Sequence, residues 1–439
     1  MRNSLSPLLL LFIVAGLLAC TKKDPQNAFP HTKQYGAEIA TTWYKMLTEL
    51  TRTHPYVPPQ TTRIMAYTGV ALYESVVPGM PSYQSIYTHL TGSIIPFEKK
   101  KDYYWPAAAN AALARIASKL VSDYPNPNLP AITHLEDSFF TMFTSLMSAE
   151  ELQKSISFGR QVADIIYDWS KTDGTLTSAG TPAPCPPYTP LGGPGNWTPT
   201  PPGFFPAAGA CQGDLRTFVP NVLNALPNLQ PIPYSTTPGS AFHTAALATY
   251  QNTNNATAAD NQVSQSWRDL VGTNLNTPAH MLKLTAQILE KENRNLEDAA
   301  TILAKEGMAM HDAIVAAFDQ KFEFALLRPI TYIRDVLSHN SWNTLYPTPQ
   351  HPAYPAVSTA AAASSVVILE KAFGTAYSFL DSTQKTLYGT YTYSTFNQLL
   401  DDVGKSRVLS GLNYQFATDD GITLGRFTGN HIANLPFKK

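Results

Sequence analysis

The chain has 439 residues, of which 44% are hydrophobic and 14% charged, a balance that belongs to an ordered globular protein with a large core. A formal net charge of −1 without basic runs argues against nucleic acid as a partner.

The N-terminus reads Met1-Arg2-Asn3, then an apolar run from Leu8 to Leu18, then Ala19-Cys20. A charged region followed by an apolar stretch too short to span a bilayer is the pattern of a signal peptide. Leu17-Leu18-Ala19-Cys20 also looks like a bacterial lipobox, so residues 1–20 are expected to be a lipoprotein signal ending at a lipidated Cys20. An ordinary signal peptide with a chance cysteine is the alternative. Residues 21–30 would then be a polar tether. The expected location is the bacterial cell envelope, periplasmic or outer-membrane, with the membrane touched through the lipid alone. No later apolar run reaches the length of a membrane helix.

Residues 64–77 and 302–315 share a pattern. Ala66, Gly69, Ala71 and Glu74 stand at the same offsets as Ala304, Gly307, Ala309 and Asp312. Apolar residues recur at three- and four-residue intervals in both, so each predicts a close-packed helix whose small residues admit a neighbour. Two related helical halves follow, unless two alanine-rich helices match by chance. Trp105-Pro106 opens a helix through Val121, proline standing at the N-terminus where its missing N–H costs nothing. Residues 181–240 carry 15 of the 35 prolines and cannot be helical for long. Their aromatic residues, with Cys185 and Cys211, favour an ordered excursion packed over the helices. In an exported chain these two cysteines are expected to form one disulfide, two buried thiols being the alternative. Their spacing suggests no zinc site. Met281 to Ala300 predicts a further helix, and Thr359 to Phe373 another that stops at Gly374.

The chemistry is concentrated in three later segments. Lys321 precedes Arg328-Pro329 by seven positions. His351-Pro-Ala-Tyr-Pro355-Ala356-Val357-Ser358 leads into the helix at Thr359. Ser406-Arg407 is followed by Gly411 and Asn413. One lysine and two arginines can gather fixed positive charge and a fork of N–H donors around a tetrahedral anion, and a helix N-terminus adds free N–H groups. Taken singly, Lys321 and Arg328 could be solvated charges on one helix face. Arg407 could pair with Asp401 or Asp402, and Asp312 could cap or bridge helices.

In order and spacing the three segments resemble the motifs K-x6-R-P, P-S-G-H and S-R-x5-H shared by vanadium-dependent haloperoxidases and type 2 phosphatidic acid phosphatases. The first motif matches fully. His311-Asp312-Ala313, the helix at Trp105 and the Trp197-Thr-Pro-Thr-Pro-Pro202 segment of the excursion also fit bacterial members of that family, so the resemblance covers most of the chain after the signal. It implies an all-α fold of two related helical bundles in one domain over residues 31–439, the excursion lying between the halves.

Carried over residue by residue, the resemblance makes Lys321, Arg328 and Arg407 the holders of phosphate or vanadate. Backbone N–H groups at Ala356 and Val357 would assist, and Asp312 would stand behind them. Ser358 occupies the acid–base position and Asn413 the position of the histidine that attacks phosphorus or ligates vanadium. An amide nitrogen, its lone pair delocalised, does neither, and a serine hydroxyl does not shuttle protons near neutral pH. The expectation is therefore an oxyanion pocket, for phosphate, vanadate or a phosphorylated small molecule, that has lost its catalytic histidines. His311, His339, His351 and His431 are read as structural or surface histidines, a catalytic substitute being the alternative, since neither His351 nor His431 aligns with a missing role. An active phosphatase or haloperoxidase with a non-standard nucleophile is the second reading, and a non-enzymatic partner-binding helical protein the third.

Overall fold

The computed structural model describes residues 31–439 except 55, 99–102, 126 and 271, so the expected signal, Cys20 and the tether lie outside the described residues. The fold is all-α apart from one small hairpin. The first group of helices is α1 (Glu38–Thr53), α2 (Pro58–Val76), α3 (Ile86–Thr91), α4 (Trp105–Ser122), α5 (Leu129–Thr144) and α6 (Ala149–Ser170). After the Pro-rich excursion come α7 (Ala241–Asn254), α8 (Ala258–Ser266), α9 (Thr277–Lys291), α10 (Leu296–Phe324) and α11 (Pro329–Asp335). The chain ends with α12 (Val357–Phe373), α13 (Lys385–Tyr388), α14 (Phe396–Leu409) and α15 (Gln415–Ala433). Strands β1 (Phe379–Asp381) and β2 (Tyr391–Tyr393) flank α13 and pair antiparallel, Leu380 opposite Thr392.

Local chemistry sets the helix ends. α2 and α4 begin with proline in the first turn. α10 is capped by Asn295, whose side chain accepts from the Asp298 N–H at 2.9 Å, with Glu297 and Asp298 favourably placed in the first turn. The single helix expected from Met281 to Ala300 is two. Asn293 takes a left-handed φ of 47° and Asn295 caps the next helix, so the chain turns between α9 and α10.

α2 and α10, the two helices with the shared small-residue pattern, cross each other at the centre of the molecule. A Cβ added to Gly69 would lie 2.8 Å from the Ala304 Cα, and one added to Gly307 would lie 2.8 Å from the Ala66 Cα. Each glycine thus sits on the partner's matching alanine, and the two backbones approach more closely than a larger residue allows. α2 also packs on α4 and α6, while α10 packs on α12 and α15, so one continuous buried core joins the two groups of helices.

The excursion holds two short 3-10 turns, Gln212–Asp214 and Val222–Ala225, and Cys185 and Cys211 form a disulfide with Cα atoms 5.8 Å apart. It is stitched to the second group of helices by backbone bonds. The Trp197 N–H donates to the Ala325 carbonyl at 2.6 Å, the Leu327 N–H to the Gly195 carbonyl at 3.0 Å, and the Ala208 N–H to the Gln350 carbonyl at 2.7 Å. Trp197 is fully buried.

Candidate oxyanion site

Lys321 stands in the last turn of α10. Ala325 then takes a left-handed φ of 46° and ends the helix, and Arg328 becomes the N-cap of α11 with Pro329 in its first turn. Lysine and arginine therefore belong to different helices around one bend, not to one solvated face. Arg407 lies in the last turn of α14. The backbone reverses through Gly411, whose φ of 73° suits glycine, and the Leu412 and Asn413 N–H groups both donate to the Arg407 carbonyl at 3.0 and 3.2 Å. That turn brings Asn413 back beside Arg407. Ala356 is the N-cap of α12, which puts Val357 and Ser358 in its first turn, where N–H groups have no intrahelical partner.

Lys321, Arg328, Arg407, Ser358 and Asn413 line one cavity of about 480 Å³, together with His351 and Asp269. The Lys321 ammonium donates to the Pro352 carbonyl at 2.8 Å. Arg328 donates to the His351 carbonyl at 2.8 Å, the Leu412 carbonyl at 2.9 Å and the His351 Nδ1 at 3.0 Å. A guanidinium only donates, so this Nδ1 accepts and the ring proton sits on Nε2, although the Pro352 carbonyl also lies 3.3 Å from Nδ1. Arg407 is held differently. Its Nη1 meets the Asp269 carboxylate at 3.2 Å, its Nη2 donates to the Trp267 carbonyl, and its Nε donates to the Ser406 hydroxyl at 3.1 Å. Ser358 donates to the same Asp269 oxygen at 2.6 Å, and the Asn413 amide donates to the Ala353 carbonyl at 2.6 Å.

The three cations differ in how their charge is compensated. Arg407 has Asp269, whereas among the described residues Lys321 and Arg328 meet carbonyls and a histidine but no carboxylate. Both are buried. Burial, and then the neighbouring Arg328, pulls the Lys321 ammonium well below its ordinary value. Burial followed by Arg407 lowers Arg328 to about 9, and burial also lowers Arg407 against the opposing pull of Asp269. Burial, Lys321 and Arg328 push His351 well below the usual histidine range, which keeps it neutral. A pair of desolvated cations without a counter-charge is a costly arrangement that a bound anion would relieve.

Two of the sequence expectations are corrected. The Ala356 N–H donates to the Ala417 carbonyl at 2.8 Å and is not available to an anion, so the donors at this point are those of Val357 and Ser358, inside the helix. Neither Ala356 nor Val357 has the positive φ that would penalise a side chain. Asp312 does not stand behind the site. It precedes Lys321 on α10 by nine residues, about two and a half turns at ~100° per residue, and so faces the opposite way. Its carboxylate accepts the Phe218 and Val219 N–H groups at 2.7 and 2.9 Å, fixing the excursion, and burial raises it to about 7. His311 reaches the Arg216 carbonyl, His339 stacks on Tyr250 and His431 packs on Phe427, all away from the cavity. His351, read as structural, does line it. Sequence reasoning missed Asp269 and Arg268, which come from the segment between α8 and α9, and Tyr346 from the loop before His351. No local spacing ties these residues to the three motifs.

Position 413, where the resemblance expects the vanadium-ligating histidine, does not fit that role. An amide nitrogen already donating to the Ala353 carbonyl has no lone pair for a metal. Among the described residues no cluster of three or more His, Cys, Asp and Glu side chains could hold a metal ion, and no helix is long and apolar enough to cross a membrane. What remains fits a tetrahedral oxyanion held by charge and N–H donors.

Residues 301–436 match the family model for the second helical-bundle domain of vanadium chloroperoxidase, a span that includes all three motifs. Among solved structures, a bacterial vanadium-dependent iodoperoxidase is 26% identical, with a TM-score of 0.81 over 94% of this chain and 98% of its own. A bacterial vanadium-dependent chloroperoxidase matches in its apo form at 14% identity, TM-score 0.67, over 87% of this chain and 94% of its own. Its holo form matches at 14% identity and TM-score 0.66, over 88% of this chain and 95% of its own. The chloroperoxidase likeness is one of fold. No curated protein sequence matches.

Proposed function

The chain belongs to the vanadium haloperoxidase and type 2 phosphatidic acid phosphatase superfamily, and on that premise we propose that it binds a tetrahedral oxyanion or its organic ester without turning it over. The observation that carries this reading is the pair Lys321 and Arg328, two buried cations facing one cavity with no carboxylate beside them among the described residues. Ser358 and Asn413 stand where the resemblance puts histidines: the Asn413 amide nitrogen has no free lone pair with which to attack phosphorus or ligate vanadium, and the Ser358 hydroxyl, donating to Asp269, does not take over the proton shuttling of an imidazole near neutral pH. His351 is read as structural, its Nδ1 accepting from Arg328 and its Nε2 then carrying the proton. Lipid attachment at Cys20, in the bacterial cell envelope, completes the proposal and is supported by the lipobox-like N-terminus and by the Cys185–Cys211 disulfide, a bond that persists in oxidising compartments.

Calorimetry with phosphate, sulfate and vanadate tests the binding. All three should bind, vanadate with no advantage over phosphate, and Lys321→Ala should remove at least about tenfold of the affinity, as loss of a charge-assisted contact implies. Peroxide-driven halide oxidation and phosphate ester hydrolysis should stay at background. The surroundings remain suited to imidazole: a ring at position 413 could donate to the Ala353 carbonyl that Asn413 now uses, and one at 358 could donate to Asp269. The double variant Ser358→His with Asn413→His should therefore gain turnover above either single variant, since groups acting as one catalytic unit are strongly non-additive. Robust turnover by the unaltered chain that Lys321→Ala abolishes would refute the silent-site reading.

A further inference from the structure

The oxyanion contacts use only part of the cavity. A volume of about 480 Å³ lies within the range of sites for organic ligands and far exceeds a single small ion. Arg268 and Tyr346 also line it. The Arg268 guanidinium lies over the Tyr346 ring at 5.4 Å, and among the described residues Arg268 forms no ion pair. The Arg268 Nε and the Tyr346 hydroxyl are buried, and neither has a hydrogen-bond partner among the described residues. Two buried polar groups left unpaired on one cavity wall are an expensive arrangement unless a ligand meets them.

Arg268 immediately precedes Asp269, whose carboxylate meets Arg407 and Ser358, whereas Lys321 and Arg328 are held by the carbonyls of Pro352, His351 and Leu412. Arg268 thus joins the wall on the Arg407 and Asp269 side. The formal wall charge is that of four cations, Lys321, Arg328, Arg407 and Arg268, against one carboxylate, Asp269. A single dianion at the Lys321 end leaves positive charge unmatched at the Arg268 end.

Resting on the oxyanion reading above, we propose that Arg268 and Tyr346 form a second anion-recognition point and that the ligand is an organic oxyanion carrying a second acidic group, such as a phosphorylated carboxylic acid. Arg268 supplies the charge and a planar fork of donors, and Tyr346 supplies a hydroxyl and holds the guanidinium in place. The apolar residues of the same lining, among them Leu270 and Leu412, suit a short carbon skeleton.

Non-hydrolysable probes test this without any contribution from turnover. Phosphonoacetate, 3-phosphonopropionate and 4-phosphonobutyrate are titrated into the mature full-length chain beside alkylphosphonates of equal length. One member should bind about tenfold or more tightly than its alkyl control, as a charge-assisted contact implies. Arg268→Gln should erase that advantage while leaving methylphosphonate affinity within about twofold, and Tyr346→Phe should reduce it. The second point is overturned if no phosphonocarboxylate exceeds its control, if the advantage survives in Arg268→Gln, or if that variant weakens methylphosphonate equally. Failure of methylphosphonate, phosphate and sulfate all to bind would instead refute the oxyanion reading, and the second point with it.

Discussion

Lys321 carries its buried ammonium on one carbonyl bond, and burial together with Arg328 holds its pKa well below the ordinary value. In the ligand-free protein that charge costs stability, and an apolar side chain of similar length removes the cost. Lys321→Met should therefore raise the stability of the ligand-free chain, since it removes a desolvated ammonium and keeps the apolar stem. The same change should abolish the thermal stabilisation given by sulfate. A variant that loses both stability and binding would show that the ammonium is structural. The sign of the pH dependence follows from the same shift. Between the depressed folded value and the ordinary lysine range, the unfolded chain binds more protons, so ligand-free stability rises with pH across that window. A bound dianion favours the charged ammonium and reverses the shift. Sulfate, whose own charge stays constant there, should bind with proton uptake and lose affinity as pH rises through the depressed Lys321 value. Calorimetry in buffers of different ionisation heat measures the uptake, and none would place Lys321 fully charged before binding.

At the scale of elements, the α2–α10 crossing depends on two glycines. Gly307→Ala brings a methyl to 2.8 Å from the Ala66 Cα, a backbone atom that moves only with its helix. Overpacking of this kind costs about 1–3 kcal/mol, and Gly69→Ala should cost a similar amount because it meets the Ala304 Cα. Urea unfolding reads both, and a neutral result at either position would mean that the helices can separate cheaply. That each helix admits a close neighbour was legible in the sequence, because small residues recur at the same offsets in both segments; that the two are each other's neighbour was not, since spacing along one helix does not name its partner. The break between α9 and α10 was not legible, because the apolar period runs on past Asn293 and Asn295. Only the observed left-handed turn and cap distinguish two helices from one. Lys321, Arg328 and Arg407 were legible through the resemblance, because their order and spacing match the motifs of that family, whereas taken singly each also reads as an ordinary surface or helix-pairing charge. Asp269, Arg268 and Tyr346 reach the cavity from separate connections, so nothing local marks them. The fate of the Ala356 N–H depended on α15, whose Ala417 carbonyl takes it.

Across the whole molecule, the excursion between the two groups of helices is part of the site's wall and also part of its frame. Ala208, Gly209 and Gln212 line the cavity. Farther out, the bonds at Gly195 and Trp197 hold Ala325 and Leu327, the residues through which the chain bends from Lys321 to Arg328. That bend decides whether the two cations face one cavity, and the excursion grips it from outside while α10 and α11 hold its ends. Trp197 fills the contact with a fully buried side chain, so Trp197→Ala should lower stability by about 3–5 kcal/mol as other large-to-small core changes do. It should also weaken sulfate binding, although Trp197 does not line the cavity, whereas Trp197→Phe should retain most of both. Loss of stability in urea with unchanged sulfate affinity in the folded variant would show that α10 and α11 alone position the cations.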